Sequence, residues 1–230
     1  MSIPVLVMGR SGSGKTYSLH NFDPKEVGVI SVEKGRLPFK SEIPVIKVPE
    51  YMSTEAQQMT PAQINAAKYS WLMSVIGASK AKSIVIDDSQ FMIVNEFFDR
   101  NSEKGYDKFG QMAANFRDLV HFVNRLDDPQ KIVYFLHHSE EDSNGREKAK
   151  TVGKMLDEKL VLEGCFDVVL YCEDQKFYTQ SNGTSTAKSP EGMFTSVEIP
   201  NDLKFVDTAI RNYWNLITEP EKKSGKKEDK

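Results

Sequence analysis

VLVMGRSGSGKTYS, residues Val5 to Ser18, decides the fold. Its first four residues are apolar and run straight into Gly9-Arg10-Ser11-Gly12-Ser13-Gly14-Lys15-Thr16, which satisfies G-x-x-x-x-G-K-[ST] at every fixed position. A strand before such a loop and a helix after it make the spelling meaningful. The spacing predicts a strand over Ile3–Met8 and a short helix from Lys15 to Asn21. The glycines let the backbone curl so that its N–H groups face phosphate oxygens, and the helix adds the positive end of its dipole. Lys15 is expected to reach the β- and γ-phosphates, and the Thr16 hydroxyl to ligate Mg²⁺. The candidate binding stretch runs from Gly9 to Tyr17. Tyr17 itself carries no assigned chemistry.

The loop establishes that a phosphate is held, and the remaining residues must say what is done with it. At 230 residues the chain is long enough for one substantial core and short for two. A net charge of −3 removes a global basic field, so any nucleic-acid contact must rest on local basic segments. Cys165 and Cys172 are the only cysteines and make no metal pattern, which fits reduced thiols and a cytoplasmic protein. No apolar run approaches the roughly 18 residues of a membrane span, and nothing resembles a secretory leader. One domain is expected over residues 1–217. The charged residues 218–230, nearly free of apolar side chains, are expected to be disordered.

Along the chain, short apolar runs alternate with helical spacings. VGVISV, Val27 to Val32, reads as a second strand, and Pro44–Val48 as a third. Thr60-Pro61 is a helix start, with Thr as N-cap and Pro at the first position. Ser83–Ile86 and Lys131–Leu136 are buried strands, separated by an amphipathic helix through Phe109, Met112, Phe116, Leu119 and Val123. Asp167–Tyr171, Lys176–Gln180 and Phe194–Ile199 follow as strands. Leu203, Val206, Ile210, Tyr213 and Ile217 form a closing helix. The pattern predicts an α/β fold: a mostly parallel twisted sheet flanked by helices and extended by antiparallel C-terminal strands.

Three strand ends carry the chemistry. SIVIDD, Ser83 to Asp88, is a buried strand ending in acids. With this strand taken to lie beside that of the phosphate loop, Asp87 is expected at the Mg²⁺. Asp88 has two readings, polarising the attacking water or lying in a solvated turn. Glu33 follows the second strand, where a carboxylate can orient water against the γ-phosphate; the alternative is a solvated loop glutamate. The Ile132–Leu136 strand leads into His137-His138. Neighbours on a strand face opposite ways, so only one histidine can face the nucleotide, and His138 is the candidate sensor.

GRSGSGKT, VISVE, SIVIDD and FLHH, in that order, resemble the RecA-like core P-loop ATPases. DDSQFMIVNEFFDR, KTVGKMLDEKLVLEGCFDVVLY and TAKSPEGMF are similar to a group of phage-encoded members that includes recombination proteins of the single-strand-annealing type. The resemblance implies ATP hydrolysis coupled to single-stranded DNA in a homo-oligomeric ring or filament. It implies DNA-contacting loops around Arg100–Lys108 and around Glu140–Lys159, the second carrying Arg146, Lys148, Lys150 and Lys154. It also makes Lys188 the candidate to reach a neighbouring subunit's γ-phosphate, where an arginine is usual.

Three functions compete. A phage recombination or replication ATPase would use Lys15, Mg²⁺, Glu33 and His138 for in-line attack of water on ATP. A nucleotide-gated loader would bind ATP and a replication partner. A small-molecule kinase would need an arginine-rich lid, and the arginines here are scattered.

Overall fold

The computed structural model describes residues 1–33, 35–50 and 58–216. The predicted Ile217 end of the closing helix and the 218–230 tail lie outside the described residues.

The strands are β1 Ile3–Gly9, β2 Val27–Ser31, β3 Val45–Lys47, β4 Ser83–Asp87, β5 Ile132–Glu141, β6 Glu147–Ala149, β7 Val168–Glu173, β8 Lys176–Tyr178 and β9 Glu198–Pro200. The helices are α1 Pro61–Ala78, α2 Gln90–Asp99, α3 Asp107–Arg125, α4 Lys154–Asp157 and α5 Leu203–Tyr213. Among the described residues they make one sheet in the order β3-β2-β4-β5-β1-β7-β8-β9, with β6 paired to the far end of β5. The six strands β3 to β7 of that path pair in parallel, and β8 and β9 continue antiparallel. This is the predicted α/β architecture, a mostly parallel sheet flanked by helices and extended by antiparallel strands, consistent with a RecA-like P-loop fold.

Alternation along the central strands builds two cores. Leu6 and Met8 of β1 face one side, with Ile84, Ile86, Val133 and Phe135, against α1, α2 and α3. Val5 and Val7 face the other, with Val85, Tyr134 and Leu136, against Leu203, Val206 and Ile210 of α5. Strands covered on both faces need continuous apolar runs, which β1, β4 and β5 supply. Thr60 is the N-cap of α1, as predicted, and the structure adds a capping box: Thr60 accepts from the Gln63 N–H while the Gln63 side chain accepts from the Thr60 N–H.

Four expectations need correction. First, β4 does not lie beside β1, because β5 occupies the slot between them. Alternation in a sequence identifies strands but not neighbours, and α3 returns the chain to the gap. Second, the predicted Lys15–Asn21 helix is a 3₁₀ turn over Tyr17–Asn21. Pro24 disfavours helical backbone at Asp23 and so stops the segment early, and Thr16 gives its hydroxyl to Asp87 instead of capping the turn. Such a short turn contributes little dipole. Third, Phe194–Ile199 is a strand only from Glu198, although Thr179 already donates its N–H to the Val197 carbonyl. Fourth, the first expected DNA segment is the connection from α2 to α3, its last residues already in α3, but the second is not a plain loop. α2 follows β4 directly, and β5 runs on to Glu141 and folds back as a hairpin with β6, followed by α4.

Candidate functional site

The phosphate loop leaves β1 at the C-terminal edge of the parallel strands. Gly14 has φ +108°, and a Cβ there would collide with the Asn201 amide, so this position demands glycine twice over. Lys15 is buried, and its Nζ donates to the carbonyls of Gly9 at 2.6 Å and Arg10 at 2.9 Å. From behind, the Cys172 thiol donates to the Ser13 carbonyl at 3.2 Å. Burial pushes that thiol up to about 11, so it stays a neutral donor.

Thr16 Oγ1 donates to Asp87 Oδ1 at 2.8 Å, although two strand spacings separate β1 from β4. The loop bends across the end of β5 to make that contact. One hydroxyl and one carboxylate in contact fit Mg²⁺, which takes one or two protein oxygens and fills its octahedron with water and substrate phosphates. Thr16 and Asp87 are therefore the residues that would hold it.

Asp88 sits in left-handed backbone, φ +60°, a conformation Asp tolerates better than most residues. It is followed by α2 and held there as the Ser89 N–H donates to the Leu136 carbonyl at 2.8 Å. This turns the Asp88 carboxylate towards His138, whose Nε2 lies 3.1 Å from Asp88 Oδ1. Register does the rest: β1 and β5 pair Gly9 with His138, so the histidine stands beside the loop's first residue. Asp88, His138, Gly12, Lys15 and Thr16 line one cleft of about 410 Å³, within the range of small-ligand sites.

His137, one residue earlier, points the other way. It is fully buried, with Nδ1 3.0 Å from Ser89 Oγ and Nε2 2.8 Å from the Lys150 carbonyl. Burial lowers its pKa to about 4, so it is neutral near pH 7.

Other expected residues lie apart. Glu33 is exposed and lines a neighbouring cleft with Lys68, Phe91 and Asn95, not the cleft over the loop. Lys188 is exposed, and its backbone pairs with Val169, which pairs with Leu6 three residues before the end of β1. Arg100, assigned to the first DNA loop, is buried among Glu96, Glu103 and Gln111. That corrects the expectation for this segment: its guanidinium organises α2 and α3. In the second segment Lys148 pairs with Asp157 at 2.6 Å and Glu140 at 3.3 Å, whereas Arg146, Lys150 and Lys154 are exposed. Arg10 ties the loop to this hairpin through Glu141 and the buried Glu147, which also accepts from Ser139.

Two residues escaped the sequence reading. Gln175, in the β7–β8 turn, lines the loop's cleft, and Asn201, just after β9, donates to the Gly14 carbonyl at 3.1 Å. The available signal was topological. β7 ends at Glu173 and turns through Asp174-Gln175, and a parallel neighbour of β1 delivers its C-terminal turn to the ligand edge.

A family model described as AAA domain matches residues 1–195. No curated protein matches the chain. Among the described residues, no helix is long and apolar enough to cross a membrane.

Proposed function

Because this chain belongs to the AAA domain family of nucleotide-binding ATPases, we propose that it is a Mg²⁺-dependent ATPase of phage recombination or replication, acting on single-stranded DNA as a homo-oligomer. Residues 1–217 would be the ATPase domain and residues 218–230 a charged tail. The observation that carries the catalytic reading is the joint lining of one cleft by the loop, Asp88 and His138, with Thr16 of that lining in contact with Asp87.

In this reading the loop N–H groups and Lys15 hold the β- and γ-phosphates, and Thr16 and Asp87 hold Mg²⁺. The metal, when bound, neutralises charge on the phosphate oxygens. Asp88 orients water towards the γ-phosphate and draws off its proton, and His138 fixes the Asp88 carboxylate. Of the two acids weighed from the sequence, Asp88 is preferred to Glu33 because it shares the cleft with the loop. His138 also begins the hairpin stem, so loss of phosphate at Asp88 is felt where Lys150 donates its N–H to the His138 carbonyl, at 2.8 Å. Exposed Arg146, Lys150 and Lys154 are the proposed DNA contacts, and Lys188 the proposed contact to a neighbouring subunit.

The test is ATP hydrolysis with and without single-stranded DNA at two salt concentrations. Stimulation that weakens as salt rises is expected. Hydrolysis without stimulation, together with no DNA binding at low salt, would remove the DNA role and leave the ATPase. In that case a nucleotide-gated loader becomes the better reading.

A further inference from the structure

Nucleotide hydrolysis uses one flank of the cleft and leaves the opposite flank unassigned. β4 and β5 lie on one side of β1, and β7 lies on the other. Asp88 and His138 therefore approach the loop from one flank, and the β7–β8 turn from the other. The central residues of that turn, Asp174 and Gln175, have φ of +48° and +60°. A two-residue hairpin turn with both φ positive is best served by Asn-Gly. A glutamine is disfavoured there, and unfavourable backbone persists where surrounding contacts hold it, most often at binding sites.

Those contacts are specific. Asn201, itself buried, donates Nδ2–H to Gln175 Oε1 at 3.1 Å and to the Gly14 carbonyl at 3.1 Å. The amide oxygen of Gln175 is thereby engaged and tied to the phosphate loop. Among the described residues no protein acceptor takes its Nε2–H donors. Gln175 and Tyr17 line the cleft together, and Tyr17 keeps an exposed ring stacked on His20.

We infer that Gln175, clamped by Asn201, holds the nucleoside end of the bound nucleotide by donating Nε2–H to a ring nitrogen of the base or to a ribose oxygen. The inference rests on the nucleotide-binding reading. Once the γ end of the triphosphate lies at Thr16, Asp87 and Asp88, its other end must leave the loop elsewhere. The Gln175 flank is the cleft's opposite wall. Tyr17, lining the same cleft, supplies an exposed aromatic surface that suits a flat ring.

Calorimetric titration of the full chain with ATP, ribose 5-triphosphate and tripolyphosphate, each with Mg²⁺, tests this. Gln175→Gly is the right truncation, because glycine relaxes at φ +60° and keeps the turn. ATP affinity should fall by about three- to tenfold, as for one lost hydrogen bond, while tripolyphosphate affinity stays within about twofold. A parallel loss for ribose 5-triphosphate assigns the contact to ribose, and a loss confined to ATP assigns it to the base. An unchanged ratio of ATP to tripolyphosphate affinity overturns the inference and leaves nucleotide binding intact. So does wild-type protein that binds the two equally. Wild-type protein that binds neither removes the nucleotide reading, and the inference with it. Gln175→Asn, also tolerated at positive φ, gives the same readout if the glycine variant unfolds.

Discussion

The central strands carry a polar cluster at each end, and the two are built on opposite principles. At the N-terminal end Asp207 is almost fully buried and saturated. It accepts from Ser83 Oγ at 2.6 Å, Tyr134 OH at 3.0 Å and Arg211 Nε at 2.6 Å. The Arg211 Nη groups donate to the carbonyls of Gln130 and Lys82, to Ser83 Oγ and again to Asp207. At the C-terminal end Asp88 and Gln175 are held in left-handed backbone, and their side chains line an open cleft. A charge whose lone pairs are consumed by its own fold is scaffold. Polar groups fixed by their backbone in the wall of a cleft are placed to meet something that arrives from solution.

The comparison breaks first, and hardest, at the cleft. Lys15→Ala should abolish measurable ATP turnover, a loss of at least about 10²-fold. Asp88→Asn should lower kcat by about 10²-fold with little change in KM. Asparagine accepts the positive φ, so an unchanged melting temperature would separate chemistry from folding. Glu33→Gln, exposed in the neighbouring cleft, should leave kcat within about twofold. If instead Glu33→Gln stops hydrolysis and Asp88→Asn does not, the water-positioning acid is Glu33, and the cleft must close on ATP to recruit it.

The opposite end should respond in the opposite currency. Asp207→Ala removes the shared acceptor and leaves Arg211 and Tyr134 without it. A stability loss of about 3 kcal/mol is expected, as when one partner of a buried ion pair is removed. Melting should drop by roughly 6–12 °C, while ATP affinity of the folded fraction is unchanged. An equal loss of ATP affinity would show the two ends to be coupled.

Much of this was legible in the sequence. The strands β1, β4 and β5 are built on apolar runs, and α1 starts at the Thr60-Pro61 signal. Asp87 ends β4 as the sequence predicts, whereas His138 lies inside β5, which runs past the predicted Leu136 to Glu141. What stayed hidden was adjacency. No local pattern says that β5 separates β1 from β4, and so none says that Asp88, not Glu33, shares the cleft with the loop. Basic residues misled in the same way. Composition cannot distinguish Arg100, enclosed by Glu96 and Glu103, from Arg146, which is exposed. Gln175 was invisible because its importance comes from positive φ and from Asn201, 26 residues away.

His137 belongs to the site end by position and to the scaffold end by behaviour, and pH is the variable that exposes this. Its ordinary pKa of 6.5 falls to about 4 in the fold, chiefly through burial. Its surroundings are Ser89 Oγ, the Lys150 carbonyl and the edge of Phe116, with His138 and Lys15 adding weaker positive repulsion. The unfolded chain therefore takes up this proton at a higher pH than the folded one. Its contribution is complete above pH 6.5 and is lost progressively as pH falls to about 4. The full loss is at most about 3 kcal/mol. Denaturant unfolding between pH 7 and pH 4 should show that decline in the wild-type chain. His137→Asn, less stable at pH 7, should show a shallower one, because it has no imidazole to protonate on unfolding. A wild-type slope in His137→Asn would mean that the decline comes from carboxylates elsewhere, and His137 would then lose its place on the scaffold side of the comparison.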